Sequence, residues 1–305
     1  MRPALVADAA LVQHRPVRGA GARMEAKLAR PAGAAFILIV AIAAAAAIIH
    51  FVQLGFLRAI ETPPMMEWDP VVQESLFTLL LFALVAAVAI AGIRLCRLAI
   101  RAGPGWPTAA VAGVAVGISG VAVALGLSAL AGVIRPGDGA GAGWLLLAGT
   151  VVTLVQTGSE ELYFRGWLQP TLQAGWGRWP GLAGQALGFA LLHFVAGLFD
   201  PLSLLNLLLA GLWLGLLAER SGGLVLPIAA HFGWNWGETL LFGATPNPGV
   251  GSFGAILDWD LVGPPAWGGS EAGLNASLSV TFVLAALVIA TASWGGRVSP
   301  IPRRG

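Results

Sequence analysis

The sequence predicts an all-α fold, a polytopic bundle of about eight transmembrane helices with both termini in the cytoplasm. Three observations predict it. The 305 residues are 57% hydrophobic and only 10% charged, against roughly 25% charged in an average soluble domain. Apolar residues recur in runs of about 20, the length that crosses a hydrocarbon core of roughly 30 Å. Basic residues keep to alternate loops. Within a bilayer the backbone groups must pair inside each segment, so every run reads as a helix.

Residues 1–32 are rich in Ala and Arg and lack the apolar core and small-residue cleavage site of a removable signal peptide, so they read as a disordered basic cytoplasmic tail. Three spans follow within 33–143, at 33–57, 71–93 and 107–132, the third rich in small residues such as Gly113, Gly117 and Ser119. The fourth span, 144–168, ends in "GSEELYFRGWLQ" and is the one whose apolar pattern is broken by charge. Spans five and six, 182–199 and 202–219, are short and separated only by Asp200-Pro201, which suggests a tight hairpin. The seventh, 224–243, contains "PIAAHFGWNWGE" and closes a core unit over 144–243. An extracytoplasmic loop, 244–272, leads to the last span, 273–293, and a short basic tail within 273–305.

Lys and Arg in short loops are retained on the cytoplasmic side. The tail carries Arg2, Arg15, Arg18, Arg23, Lys27 and Arg30; the second loop Arg94, Arg97 and Arg101; later even-numbered loops Arg178 and Arg220; the C-terminus Arg297, Arg303 and Arg304. Glu61, Glu67, Asp69, Asp138, Asp200, Asp258, Asp260 and Glu271 fall in the other loops, with Arg58 and Arg135 their only basic residues. An odd number of spans would break this alternation.

Topology accounts for the excess of positive charge, so a pI of about 9.3 gives no reason to invoke nucleic acid, which calls for a concentrated basic face. Cys96 is the only cysteine, so neither an internal disulfide nor a cysteine metal cluster can form. Lys27 is the only lysine, which together with abundant Ala and Gly suggests GC-rich coding and a bacterial inner membrane.

Charges at a helix centre cost roughly 2.5–3.5 kcal/mol each on insertion scales. Glu160, Glu161 and Arg165 therefore need partners. Glu161 and Arg165 are four apart with Glu first, the favourable order for a helical ion pair. Glu160 lies about 100° around the helix and is left over. His193, one turn after Phe189, lies in the fifth span, and His231 shares a helical face with Asn235 in the seventh, which Glu238 extends by another turn. His50 in the first span reads as a packing group. Gly184/Gly188, Gly211/Gly215 and Gly233/Gly237 allow helices to approach closely. Together these groups suggest a walled polar cavity.

Two chemistries fit that set. A carboxylate and an imidazole can withdraw a proton from water while a second imidazole and an amide stabilise the oxyanion. Alternatively, Glu160, His193 and His231 can bind Zn2+ and leave a position open for water, although a separate base must then be found. H-E-x-x-H is absent. "GISG" around Ser119 is explained by small-residue packing, and Asp138 sits in a Gly-rich loop without a second intramembrane aspartate.

In order, E-E-x-x-x-R (Glu160, Glu161, Arg165), F-x-x-x-H (Phe189, His193) and H-x-x-x-N (His231, Asn235) resemble the CAAX prenyl protease and bacteriocin-processing (CPBP) family of intramembrane proteases. "GLWLGLLAERSGGLVLPIAAHFGWN" extends the resemblance, which covers roughly 144–243. It implies an α-helical membrane endopeptidase in which Glu160 and His193 activate water, His231 and Asn235 position substrate or stabilise the oxyanion, and Glu161, Arg165 and Phe189 support the site. Eukaryotic relatives trim prenylated CAAX tails; bacterial relatives are connected with bacteriocin processing, immunity and abortive infection. The family includes members described as metalloenzymes and as glutamate-dependent proteases, so the resemblance leaves zinc open. For a bacterial protein the expected substrate is an apolar peptide or a membrane-tethered precursor. The competing readings are an ion-coupled transporter, in which Glu and His line a path, and an inactive membrane scaffold.

Overall fold

The structure, a computed structural model, describes residues 30–139, 141, 143–197 and 200–295. The predicted basic tail before residue 30 and the three C-terminal arginines lie outside them.

Helices α1 (Pro31–Ile60), α2 (Pro70–Leu95) and α3 (Trp106–Leu130) each carry proline in the first turn, where its missing N–H has no intrahelical partner to lose. Asp69 caps α2 by accepting from the Val71 amide at 2.8 Å. Helix α4 (Trp144–Glu161) runs on through a π-helical segment, Leu162–Leu168, into α5 (Gln169–Trp176). The chain reverses at Gly177, whose φ of +87° suits glycine, and enters α6 (Arg178–Val195). Asp200 accepts from the Ser203 amide at 2.7 Å, so the expected hairpin residue is the N-cap of α7 (Pro201–Ser221). Helix α8 (Val225–Trp236) ends in a second π-helical segment, Gly237–Leu241. The last helix is α9 (Leu278–Ser293).

Among the described residues, each predicted apolar run falls on a helix, and the bundle is all-α apart from two short strands. These are β1 (Ile134–Pro136) and β2 (Trp259–Leu261), antiparallel with Ile134 opposite Leu261. Helices α1, α2, α3 and α7 are long and apolar enough to cross a membrane, and α9 is a shorter apolar helix. The fourth run continues beyond 168 because its polar residues are satisfied internally. Gln169 donates to the Gly215 carbonyl at 3.1 Å and Thr171 to the Trp167 carbonyl at 2.8 Å.

A small apolar cluster around Val152, Leu240 and Phe253 and two large ones form the interior of the described residues. One joins α1, α2, the first π-helical segment and α6 around Tyr163, Trp167 and Phe189. The other joins α3, α7, α8 and α9 around Leu125, Trp213 and Trp234. Helix α4 touches α8 between them.

Loops sort onto two faces. On one, the strand pair brings the loop after α3 onto the segment after α8, and Gly139 donates to Asp258 at 2.6 Å. On the other, Leu224, in the turn between α7 and α8, donates to the Arg101 carbonyl at 2.9 Å. The first contact brings together loops that carry Asp138 and Asp258, and the second brings the loop that carries Arg101 onto the turn that follows Arg220.

Helix α8, which carries His231, is held against α3 by glycines on both sides. A Cβ at Gly117 would collide with the backbone of Ala230 and Trp234, and one at Gly233 with the Val114 backbone. Gly126, on the same helix, faces open space. Gly117→Ala should therefore lower the thermal unfolding temperature of the detergent-solubilised protein, through overpacking of roughly 1–3 kcal/mol. Gly126→Ala should leave it unchanged or raise it, since alanine favours a helix by about 1 kcal/mol over glycine.

Candidate active site

Where α4 passes into its π-helical extension, Glu161 and Arg165 are both fully buried and joined at 2.7 Å. This is the expected i,i+4 brace. Arg165 also donates to the Gly211 carbonyl of α7 at 3.1 Å, and its guanidinium lies 5.0 Å from the centre of the Phe189 ring, within cation–π range. Gln185 donates to the same carbonyl at 2.9 Å. Gly211 and Gly215 thus do more than let helices approach, because their carbonyls receive buried side chains.

The same Glu161 oxygen lies 2.9 Å from His231 Nδ1. An ionised carboxylate only accepts, so Nδ1 carries the hydrogen and Nε2 of the neutral ring is a lone-pair acceptor. That Nε2 faces Glu160 Oε2 at 3.7 Å, beyond hydrogen-bond distance. Among the described residues, Glu160 Oε2 is buried and makes no hydrogen bond, and Oε1 has only a long 3.5 Å contact with Gln156. The paired glutamates are therefore unequal: Glu161 Oε1 accepts from both Arg165 and His231, whereas the only hydrogen bond of the Glu160 carboxylate among the described residues is the long contact with Gln156.

His193 is fixed in the same way. Its Nδ1 is 2.8 Å from the Phe189 carbonyl, which can only accept, so its Nε2 is likewise the acceptor. The Phe189 ring lies between the two imidazoles, 4.6 Å from His193 and 6.1 Å from His231. Glu160, His193, His231 and Asn235 all line one cavity of about 390 Å³.

Sequence reasoning missed the cavity's roof. Thr245, Asn247, Gly273 and Asn275 line it from the segment between α8 and α9, and Asn206 lines it from α7. Asn247 pins that segment, donating to the Leu261 carbonyl at 3.0 Å and the Ser270 carbonyl at 2.9 Å and accepting from the Leu261 amide. Asn206 donates to the carbonyls of Asn275 and Ser277. An amide inside an apolar span was the available signal for Asn206. Glu238 does not extend the stripe of His231 and Asn235 into the cavity. It is buried and accepts from Thr245 and Asn275, each at 2.7 Å, so it clasps both arms of the roof.

Two further expectations meet the structure here. Both imidazoles have the anchored Nδ1 that metal-binding histidines show. Among the described residues, however, no three His, Cys, Asp or Glu side chains form a group able to hold a metal ion, so no step is derived through zinc. His50 is not a buried packing group; it is exposed on α1 beside Phe51.

Residues 142–237 match the family model described as type II CAAX prenyl endopeptidase Rce1-like. All the motif residues lie in that stretch; Glu238 and the roof lie beyond it. No match was found among curated proteins or solved structures.

Glu161→Gln removes the direct ion-pair partner of the buried Arg165 and should cost about 3–5 kcal/mol, whereas Glu160→Gln should change stability by less, about 1 kcal/mol. Thermal unfolding of the two purified variants compares them. Glu238→Ala should release the roof, and limited proteolysis should then cut within 244–272 more than tenfold faster than in the parent protein.

Proposed function

We propose that the chain is an intramembrane endopeptidase that hydrolyses a peptide bond of an apolar or membrane-tethered substrate. The observation that carries this reading is the free carboxylate oxygen of Glu160, set 3.7 Å from an imidazole nitrogen whose tautomer Glu161 fixes. A water seated against both atoms has one hydrogen directed at Glu160 and the other at His231 Nε2.

Glu160 takes the first proton as the water oxygen bonds to the substrate carbonyl carbon. The carbonyl oxygen becomes an oxyanion, to which the Asn235 amide donates a hydrogen bond. Collapse breaks the C–N bond, and the protonated Glu160 returns its proton to the leaving nitrogen. His193 Nε2 serves as an acceptor for a substrate amide N–H. The 3.7 Å approach of His231 Nε2 to Glu160 thus favours His231 as its partner in water activation, the reverse of the roles that the family resemblance implied.

The motif match over 142–237 supports the same class of activity. Glu161 and Arg165 are fully buried and paired with each other, which supports a structural brace beside a reaction pocket over charged groups lining a transport path. We read the predicted runs as eight spans, with the arginine-bearing face in the cytoplasm and the roofed face outside it, in a bacterial inner membrane.

Glu160→Gln and His231→Ala should lower cleavage by at least about 10²-fold, the scale of general acid–base catalysis, with the protein still folded in the membrane. Comparing peptide termini in membranes of parent and variant cells identifies the substrates. Identical termini would count against the hydrolytic reading. Activity on a substrate so found should persist after chelation; activity lost to a chelator and restored by zinc would overturn the metal-free mechanism.

A further inference from the structure

A second cavity, of about 240 Å³, borders the same carboxylate. It shares Gln156, Glu160 and His193 with the roofed cavity, but its remaining walls differ in chemistry. Ala45 and Ile49 come from α1, Leu81 and Val85 from α2, and Leu192 from α6. Each of the first two pairs is spaced i,i+4, so each helix presents one apolar row. Tyr163 also lines it, with a hydroxyl that donates to the Ala41 carbonyl at 2.6 Å and is thereby satisfied. Gln53 is the polar residue not shared with the first cavity.

Size and surroundings narrow the occupant. Pockets for drug-sized ligands measure roughly 300–1,000 Å³, and this one is smaller, the scale of a side chain instead of a whole peptide or long lipid chain. Helices α1 and α2, which frame it, are both long and apolar enough to cross a membrane. They and α6 present exposed apolar side chains, among them Phe51, Leu80 and Phe194. A group reaching the cavity between these helices arrives from hydrocarbon.

We propose that this cavity is a subsite for one bulky apolar side chain of a membrane-embedded substrate segment, next to the bond cleaved by the water that Glu160 activates. The assignment rests on the hydrolytic reading for its placement beside the cut bond. It divides the substrate at Glu160: an apolar residue lies in the α1–α2–α6 cavity, and the polar backbone on the other side of the bond extends beneath the roof. Ala45 is the specificity-determining position, because it is buried and a larger residue there fills the space.

The test uses the full chain in nanodiscs and a membrane-spanning Leu/Ala peptide carrying photo-leucine. With the Glu160→Gln protein, cross-links should concentrate on Ala45, Ile49, Leu81 and Val85, and fall at least tenfold when Ala45→Phe is added. Ala45→Val, a smaller plug in the same wall, should give an intermediate loss and covers the case in which Ala45→Phe does not fold. Cross-links spread over all exposed apolar faces, or unchanged by both plugs, would overturn the subsite. In a second arm, the protein with Glu160 intact should cut peptides bearing Leu or Phe beside the scissile bond at least tenfold faster than the Ser version, a ratio that Ala45→Phe reduces. Cleavage without that preference defeats the subsite and leaves hydrolysis standing. Cross-linking in the cavity without cleavage of any peptide defeats hydrolysis and leaves the subsite standing.

Discussion

One carboxylate oxygen holds the site together. Glu161 Oε1 accepts from Arg165 at 2.7 Å and from His231 at 2.9 Å. A fully buried guanidinium in an apolar bundle has to meet an anion, and meeting it fixes one helical face of the fourth run. The other valence of that oxygen orients an imidazole on a distant helix. Arg165 reaches on to the α7 backbone, so α4, α7 and α8 are tied through a single charged node. Glu160 is left outside it by helical geometry alone, one residue and about 100° away.

That division was legible in the sequence, because i,i+4 pairing is a local rule and both glutamates stand in plain view. So were the helices, because each predicted apolar run falls on one. The rest was hidden for identifiable reasons. Arg165, Gln185 and Gln169 end on the carbonyls of Gly211 and Gly215, and backbone acceptors have no signature in residue type. The helix past 168 was concealed by polar residues that are satisfied by backbone carbonyls within the bundle. Glu238 looked like one more member of a catalytic stripe, because helical spacing predicts the face but not the fold of the segment that follows. The roof depends on pairings such as Ile134 with Leu261, across a sequence distance that no local pattern spans.

The two cavities place Glu160 at a boundary between media. On one side lie amides, hydroxyls and backbone groups; on the other, alkyl and aromatic walls. In a low-dielectric setting, fixed dipoles act more strongly than they would in water. The packing that holds α3 to α8 therefore matters beyond stability. It sets the distance from His231 to Glu160, a separation that tolerates little play if both atoms are to share one water.

The roof has a consequence for how such a protein diversifies. The groups proposed for chemistry lie within residues 160–235, inside the stretch that matches the family model, whereas the roof begins after Glu238 and is attached through a few polar clasps. The proposed reaction groups and the roof over them are thus written in separate blocks of sequence. A lineage can recast the roof and meet new clients without disturbing the acid–base pair below, and two relatives with the same motifs can be expected to differ most in what they admit.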